Sequence, residues 1–119
     1  MEQFPVSFTA SNEYLAMISQ LGRFILCKQI DLSSNAFINS SFAKYFLSVE
    51  ELNLDGNELE NLDGLRDLKH LERLSVCNNR LGFESFAAIK GLELKQLKLT
   101  GNLLQADQES LILSWFHLQ

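Results

Sequence analysis

Four asparagines, Asn35, Asn57, Asn79 and Asn102, recur along the chain at intervals of 22, 22 and 23 residues. A carboxamide donates and accepts hydrogen bonds at once. A column of them could hold a polar ligand or satisfy the chain's own backbone. Arg73, Lys95 and Lys98 could contact phosphate or carboxylate groups, and Glu51, Asn53, Asp55 and Ser75 offer polar contacts suited to a protein partner. Catalysis and metal binding find little material. His70 and His117 stand far apart in sequence, with no Cys or carboxylate at ligand spacing. A phosphate-binding loop, a dinucleotide glycine fingerprint and a G-x-S-x-G elbow are all missing. Glu50 and Glu51 are adjacent, so on a strand they face opposite sides and cannot act as an acid/base pair. No catalytic residue, metal or cofactor is expected.

The elements that position these groups follow from the residues around each Asn. The segments CKQIDLSSNAF from Cys27, VEELNLDGNEL from Val49, LERLSVCNNRL from Leu71 and LKQLKLTGNLL from Leu94 align without gaps. Positions 1, 4, 6 and 11 are apolar in every copy, counting Cys27 as a small hydrophobe, and position 9 is always Asn. This is the leucine-rich repeat template, L-x-x-L-x-L-x-x-N-x-L. Positions 4 and 6 alternate with polar 3, 5 and 7, which is the period of a strand with one buried face. Ile30 and Leu32, Leu52 and Leu54, Leu74 and Val76, and Leu97 and Leu99 should therefore point inward.

Beyond position 11 the period changes. Leu59, Leu62, Leu65, Leu68 and Leu71 recur every third residue, which suits a short 3₁₀ or helical return. GFESFAAIKGL, from Gly82, reads as a helical turn or two ended by Gly91. NSSFAKYF, from Asn39, reads similarly, with Asn39 or Ser40 as the cap. One coil cannot bury its own apolar face, but stacked coils share a core and pair their strands in parallel. The expected fold is α/β: a right-handed leucine-rich repeat solenoid of four repeats of 22–23 residues, with helical amino- and carboxy-terminal caps. Residues 11–26 are the expected first cap, with Leu15, Ile18, Leu21 and Ile25 on one face. Residues 27–104 form the repeats. Residues 105–119 form the second cap, started by Asp107 or its acidic neighbours and anchored by Leu111, Leu113, Trp115, Phe116 and Leu118. The whole is one domain, and its abrupt stop at Gln119 is what a segment of a longer chain would show.

In this frame the Asn column is a set of backbone fasteners. Asn side chains satisfy local backbone groups where a strand ends in a turn, and a ligand has little use for the same residue in every coil. Function then belongs to the outer face of the sheet. Its position 3 column is Gln29, Glu51, Arg73 and Gln96; position 5 is Asp31, Asn53, Ser75 and Lys98; position 7 is Ser33, Asp55, Cys77 and Thr100. No aromatic side chain stands on it, so base stacking is not expected there. Cys27 and Cys77 are separated by two strand steps, about 10 Å, beyond disulfide reach.

Net charge is −5 across 119 residues, which argues against a surface that grips nucleic acid throughout. The average conceals a division. Glu50 to Asp67 holds seven acids and one base, whereas Lys69 to Lys98 holds six bases and three acids. Apolar runs such as Phe24–Cys27 fall far short of the ~20 residues of a membrane span. Glu2 without a basic cluster does not resemble a secretory leader, so an intracellular, reducing setting is expected.

The stretch IKGLELKQLKLTGN, from Ile89 to Asn102, resembles the leucine-rich repeat domain of the nuclear RNA export factors, the TAP-like mRNA export receptors. DQES at 107–110, ahead of a final helix, is also similar, and the resemblance extends over residues 12–119. It implies a nuclear, non-catalytic module that assists RNA or adaptor-protein binding beside a separate RNA-binding domain, in mRNA export or small-RNA silencing. On that reading Arg73, Lys95 and Lys98, chosen from the column pattern, would meet the RNA backbone. The alternative is an intracellular scaffold without an RNA role, binding proteins through Glu51, Asn53, Asp55 and Ser75.

Overall fold

The computed structural model describes residues 28–118. The expected first cap, Cys27 and Gln119 lie outside these residues.

Four short strands, β1 (Gln29–Asp31), β2 (Glu51–Asn53), β3 (Arg73–Ser75) and β4 (Gln96–Lys98), form one parallel sheet in chain order. The register pairs equal repeat positions: Ile30 with Leu52, Leu52 with Leu74, Leu74 with Leu97. Backbone pairing runs on past the strands. Ser34 N donates to Asp55 O, Gly56 N to Cys77 O and Asn78 N to Thr100 O; after the turn, Glu58 N donates to Phe37 O and Arg80 N to Leu59 O. Each coil is thus laced to the next along most of the repeat motif.

The inward residues are where the alternation puts them. Leu32, Leu54 and Val76 have no exposed surface, and Leu97 and Leu99 are buried. The third-residue leucines Leu59, Leu62, Leu65, Leu68 and Leu71 join the same core. A fully buried Leu is favoured by about 1.5–3 kcal/mol over an exposed one, so this shared column dominates the folding energy. Position 8 turns the chain out of each strand through a left-handed residue: Ser34, Gly56, Asn78 and Gly101 all have φ between 59° and 77°. Gly and Asn suit this conformation, which accounts for the DG, NN and TG pairs at these turns.

The return segments are 3₁₀ throughout, at Ser41–Tyr45, Asp63–Leu65 and Phe83–Ile89. The third was expected to be a helical turn ended by Gly91. It is instead a 3₁₀ run that passes into Lys90 in right-handed conformation, and Gly91 is not among the positive-φ residues. Three residues per turn lets Phe86 and Ile89 fall on one buried edge. Ser40 occupies the cap position of the first segment without a capping bond. The neighbouring Asn39 Oδ1 accepts from Ser41 N at 3.1 Å, as Asn61 Oδ1 does from Asp63 N.

The final helix, α1 (Ala106–Trp115), closes the stack. Its cap is Gln105, not Asp107. The Gln105 backbone carbonyl accepts from Gln108 N and Glu109 N, and Gln108 Oε1 accepts from Gln105 N, each at 3.0 Å. Asp107 and Glu109 sit in the first turn, where the helix dipole favours acids. The far end is a Schellman closure: His117 is left-handed, its N–H reaches Ser114 O, and Leu118 N reaches Leu113 O. His117 is therefore a chain-turning residue. The buried anchors are Ile112 and Phe116, while Leu111, expected inside, is exposed. The helical phase places Ile112 and Phe116, four apart, on the inner side and Leu111 away from it.

Trp115 docks this cover. Its ring lies 5.5 Å from Phe83, and the Lys90 ammonium stands 4.8 Å above it. Trp115→Ala should lower unfolding free energy by about 2 kcal/mol, since it removes partly buried aromatic area and the cation–π contact. Chemical denaturation will measure it, and Trp115→Phe should recover part of the loss.

Candidate functional site

The Asn column lines the turn beside the sheet, with Asn57 and Asn79 buried and the end rungs Asn35 and Asn102 partly exposed. Asn57 Nδ2 donates to Leu32 O and Leu54 O, both at 3.0 Å, and its Oδ1 accepts from Phe37 N. Asn79 Nδ2 donates to Leu54 O and Val76 O, and its Oδ1 accepts from Leu59 N. Asn102 repeats the pattern with Val76 O, Leu99 O and Leu81 N. Asn35 donates to Leu32 O and Ser33 O. Adjacent rungs share carbonyls, since Leu54 O accepts from both Asn57 and Asn79. Donors and acceptor of the three later rungs are spent on backbone, which leaves these amides nothing to offer a ligand.

The outer face of the sheet is a shallow trough of about 270 Å³, crossed by all four strands. The register sets Glu51 beside Arg73 and Ser75 beside Lys98. Glu51, Asn53, Asp55 and Ser75, singled out as a protein contact, all line it, together with Gln29, Asp31 and Gln96. Of the three bases, only Arg73 and Lys98 do so. Lys95 does not line it; its ammonium stands 3.6 Å from the Glu72 oxygen that Arg73 also approaches at 4.0 Å, so Glu72 brings Lys95 and Arg73 together beside the trough.

The floor is braced by its own polar groups. Asp55 Oδ1 accepts from Ser75 Oγ and Cys77 N, both at 2.7 Å, tying β2's exit to β3. Asn53 Oδ1 accepts from Asp55 N, and Asp31 Oδ1 from Ser33 N and Oγ. The sequence columns located these residues without revealing the Asp55 bridge, which depends on side-chain rotamers across two strands. The Cys77 thiol is half-buried and receives long contacts from Thr100 Oγ1 and Ser75 Oγ. Among the described residues no group of three or more His, Cys, Asp or Glu side chains could hold a metal ion.

Four parallel strands in chain order, 3₁₀ returns and an Asn-fastened turn define a leucine-rich repeat solenoid. Solved structures agree on the fold. An internalin (inlF) from Listeria monocytogenes superposes with a TM-score of 0.72 at 23% identity, covering 86% of this chain and 30% of that one. An internalin C2 (inlC2) from the same organism gives 0.58 at 20% identity, covering 81% and 42%. No family model matches the chain. Among curated proteins, the geranylgeranyl transferase type-2 subunit alpha of Rattus norvegicus is 37% identical over 95 residues, which is 76% of this chain and 16% of that protein. The Mus musculus protein of the same name gives the same figures. The chain thus spans about a sixth of the length of these relatives, and they are not RNA export factors.

Proposed function

We propose that this chain is a non-catalytic protein-binding module whose contact surface is the trough on the outer face of the sheet. The observation that carries this reading is the trough itself: a braced polar floor spanning every strand, with Asp31, Glu51 and Asp55 on one half and Arg73 and Lys98 on the other. Side chains of both signs at fixed register select a partner by complementarity. The curated match supports the reading, because this segment corresponds to a small part of a large protein named as a subunit.

The RNA-export reading draws less support. An RNA backbone laid along the trough would meet three carboxylates beside two bases, and like charges oppose the counterion release that drives such binding. The nuclear setting belonged to that reading, and the proposed function does not require it.

The test replaces residues that brace nothing. Glu51 and Lys98 make no side-chain hydrogen bond or ion pair among the described residues. Glu51→Lys with Lys98→Glu should leave the thermal midpoint near wild type and abolish capture of a protein partner retained by wild type. RNA binding by filter retention should be negligible for both proteins. Unchanged capture by the variant would reject the trough as the contact surface.

A further inference from the structure

We infer, resting on the trough as a protein-binding face, that its occupant is an extended polypeptide segment of polyproline II type crossing the strands, with a basic side chain over β1–β2 and an acidic one about three residues away over β3–β4. The sign of charge along the trough changes once, between β2 and β3. Asp31, Glu51 and Asp55 precede the change, and Arg73 and Lys98 follow it. The charge axis therefore runs across the strands, and a segment that satisfies both halves must lie across them too.

The charges that line the trough do not neutralise one another. Glu51 and Arg73 are direct neighbours in the register, yet they form no ion pair. Arg73 Nη1 stands at a long 4.0 Å from Glu72, which is outside the trough's lining. Lys98 has no acidic partner among the described residues. Asp31 and Asp55 are held in place through one oxygen each, Oδ1, by Ser33 and by Ser75 and Cys77. Their Oδ2 atoms take no hydrogen bond among the described residues and can accept from a partner's ammonium or guanidinium. Side chains already held in one rotamer lose little entropy when a partner arrives.

The dimensions decide the shape of the occupant. The occupant must present its two charged groups at the spacing of the trough's acidic and basic halves, which all four strands cross. Neighbouring strands lie about 4.8 Å apart, so the centres of the acidic and basic halves are separated by about two steps, ~10 Å. An extended chain in the polyproline II conformation has three residues per turn and rises about 3.1 Å per residue, so side chains three apart share one face about 9 Å apart.

A random linear peptide library displayed on phage and selected on the chain tests this. The selected sequences should share a Lys or Arg and an Asp or Glu about three positions apart. Synthetic versions, followed by fluorescence polarisation, should bind the Glu51→Lys, Lys98→Glu double variant about tenfold more weakly. That variant keeps the net charge, so a general electrostatic effect is controlled. Selected peptides that depend on the trough but lack the spaced pair would overturn the inference and leave the protein-binding reading intact. Binders indifferent to the double variant would overturn both. A polyuridylate complex weakened by Lys98→Glu, with no peptide selected, would also overturn both. A dimer in sedimentation equilibrium that the double variant dissociates would make a second copy the occupant and overturn the extended segment.

Discussion

Asn79→Ala should destabilise the chain by about 3 kcal/mol, with the loss visible as a lower urea midpoint. Asn79 is 6% exposed, and beside the carbonyl of half-buried Cys77 it serves backbone groups of Leu54, Val76 and Leu59, which have no exposed surface. Its removal leaves the Leu59 N–H without its only side-chain acceptor, since that bond is the 3.0 Å contact to Asn79 Oδ1. The carbonyls of Leu54 and Val76 fare better. Each also accepts from a neighbouring rung, Asn57 and Asn102 respectively. The orphaned donor costs about 1–3 kcal/mol, and the weakened carbonyls and the small cavity bring the sum to the value stated. Asn79→Asp should be at least as damaging, because it keeps an acceptor for Leu59 but sets a carboxylate against two carbonyls. Because Asn57 and Asn79 share Leu54 O, the double alanine variant should depart from additivity. Equal costs for a half-exposed end rung, Asn35→Ala, and for Asn79→Ala would show that the ladder is not stabilised by burial.

Two periods in the sequence carried most of the fold. Strict alternation at positions 3 to 7 located each strand and its buried face, because a register slip of one residue would turn Leu52 and Leu54 to solvent. The three-residue leucine spacing located the returns. What it could not show was that Phe83–Ile89 would also be 3₁₀, since phenylalanines and alanines fit either helix on one edge. Leu111 was misplaced because LILSWF is apolar on several sides, so only the docking of Ile112 and Phe116 fixes the phase of α1. The Schellman closure at His117 was hidden for a similar reason: the expected signal is Gly, and a histidine in left-handed conformation is uncommon.

The candidate site was legible to the extent that it is built from register. Once the strands were placed, the columns put Glu51, Asn53, Asp55, Ser75, Arg73 and Lys98 on one face. Lys95 was grouped with them from the column pattern. It occupies position 2, ahead of β4, and its ammonium meets Glu72 from the preceding coil. Side-chain pairing across coils depends on rotamers and competing partners, which a linear pattern does not encode. The same limit hid the Asp55 bridge to Ser75 and Cys77.

Gly64→Ala should be the most damaging methyl addition at any glycine among the described residues, costing about 3 kcal/mol or more. The DG pair at 63–64 looks like a turn signal of the same kind as the one at 55–56. Gly56 does need its freedom, with φ of 72° and no atom within 3.6 Å of where a Cβ would stand. Gly64 is constrained differently. Its φ is ordinary, but a Cβ there would collide with the carbonyl oxygen and carbon of Ser40 in the preceding coil. The Gly64 N–H also donates to the Ser40 hydroxyl at 2.9 Å, so Gly64 lies directly against Ser40. Backbone cannot swing aside as a flexible side chain can, and relief requires parting the coils over Leu62 and Leu65, both without exposed surface. Ser40→Ala should not rescue the variant, because it removes the hydroxyl and leaves the carbonyl in place. Gly56→Ala, where strain is confined to one dihedral, should cost only about 1 kcal/mol. Thermal unfolding of the three variants decides the matter: recovery of Gly64→Ala by Ser40→Ala, or a smaller loss than Gly56→Ala, would refute close coil-to-coil backbone packing as the reason for this glycine.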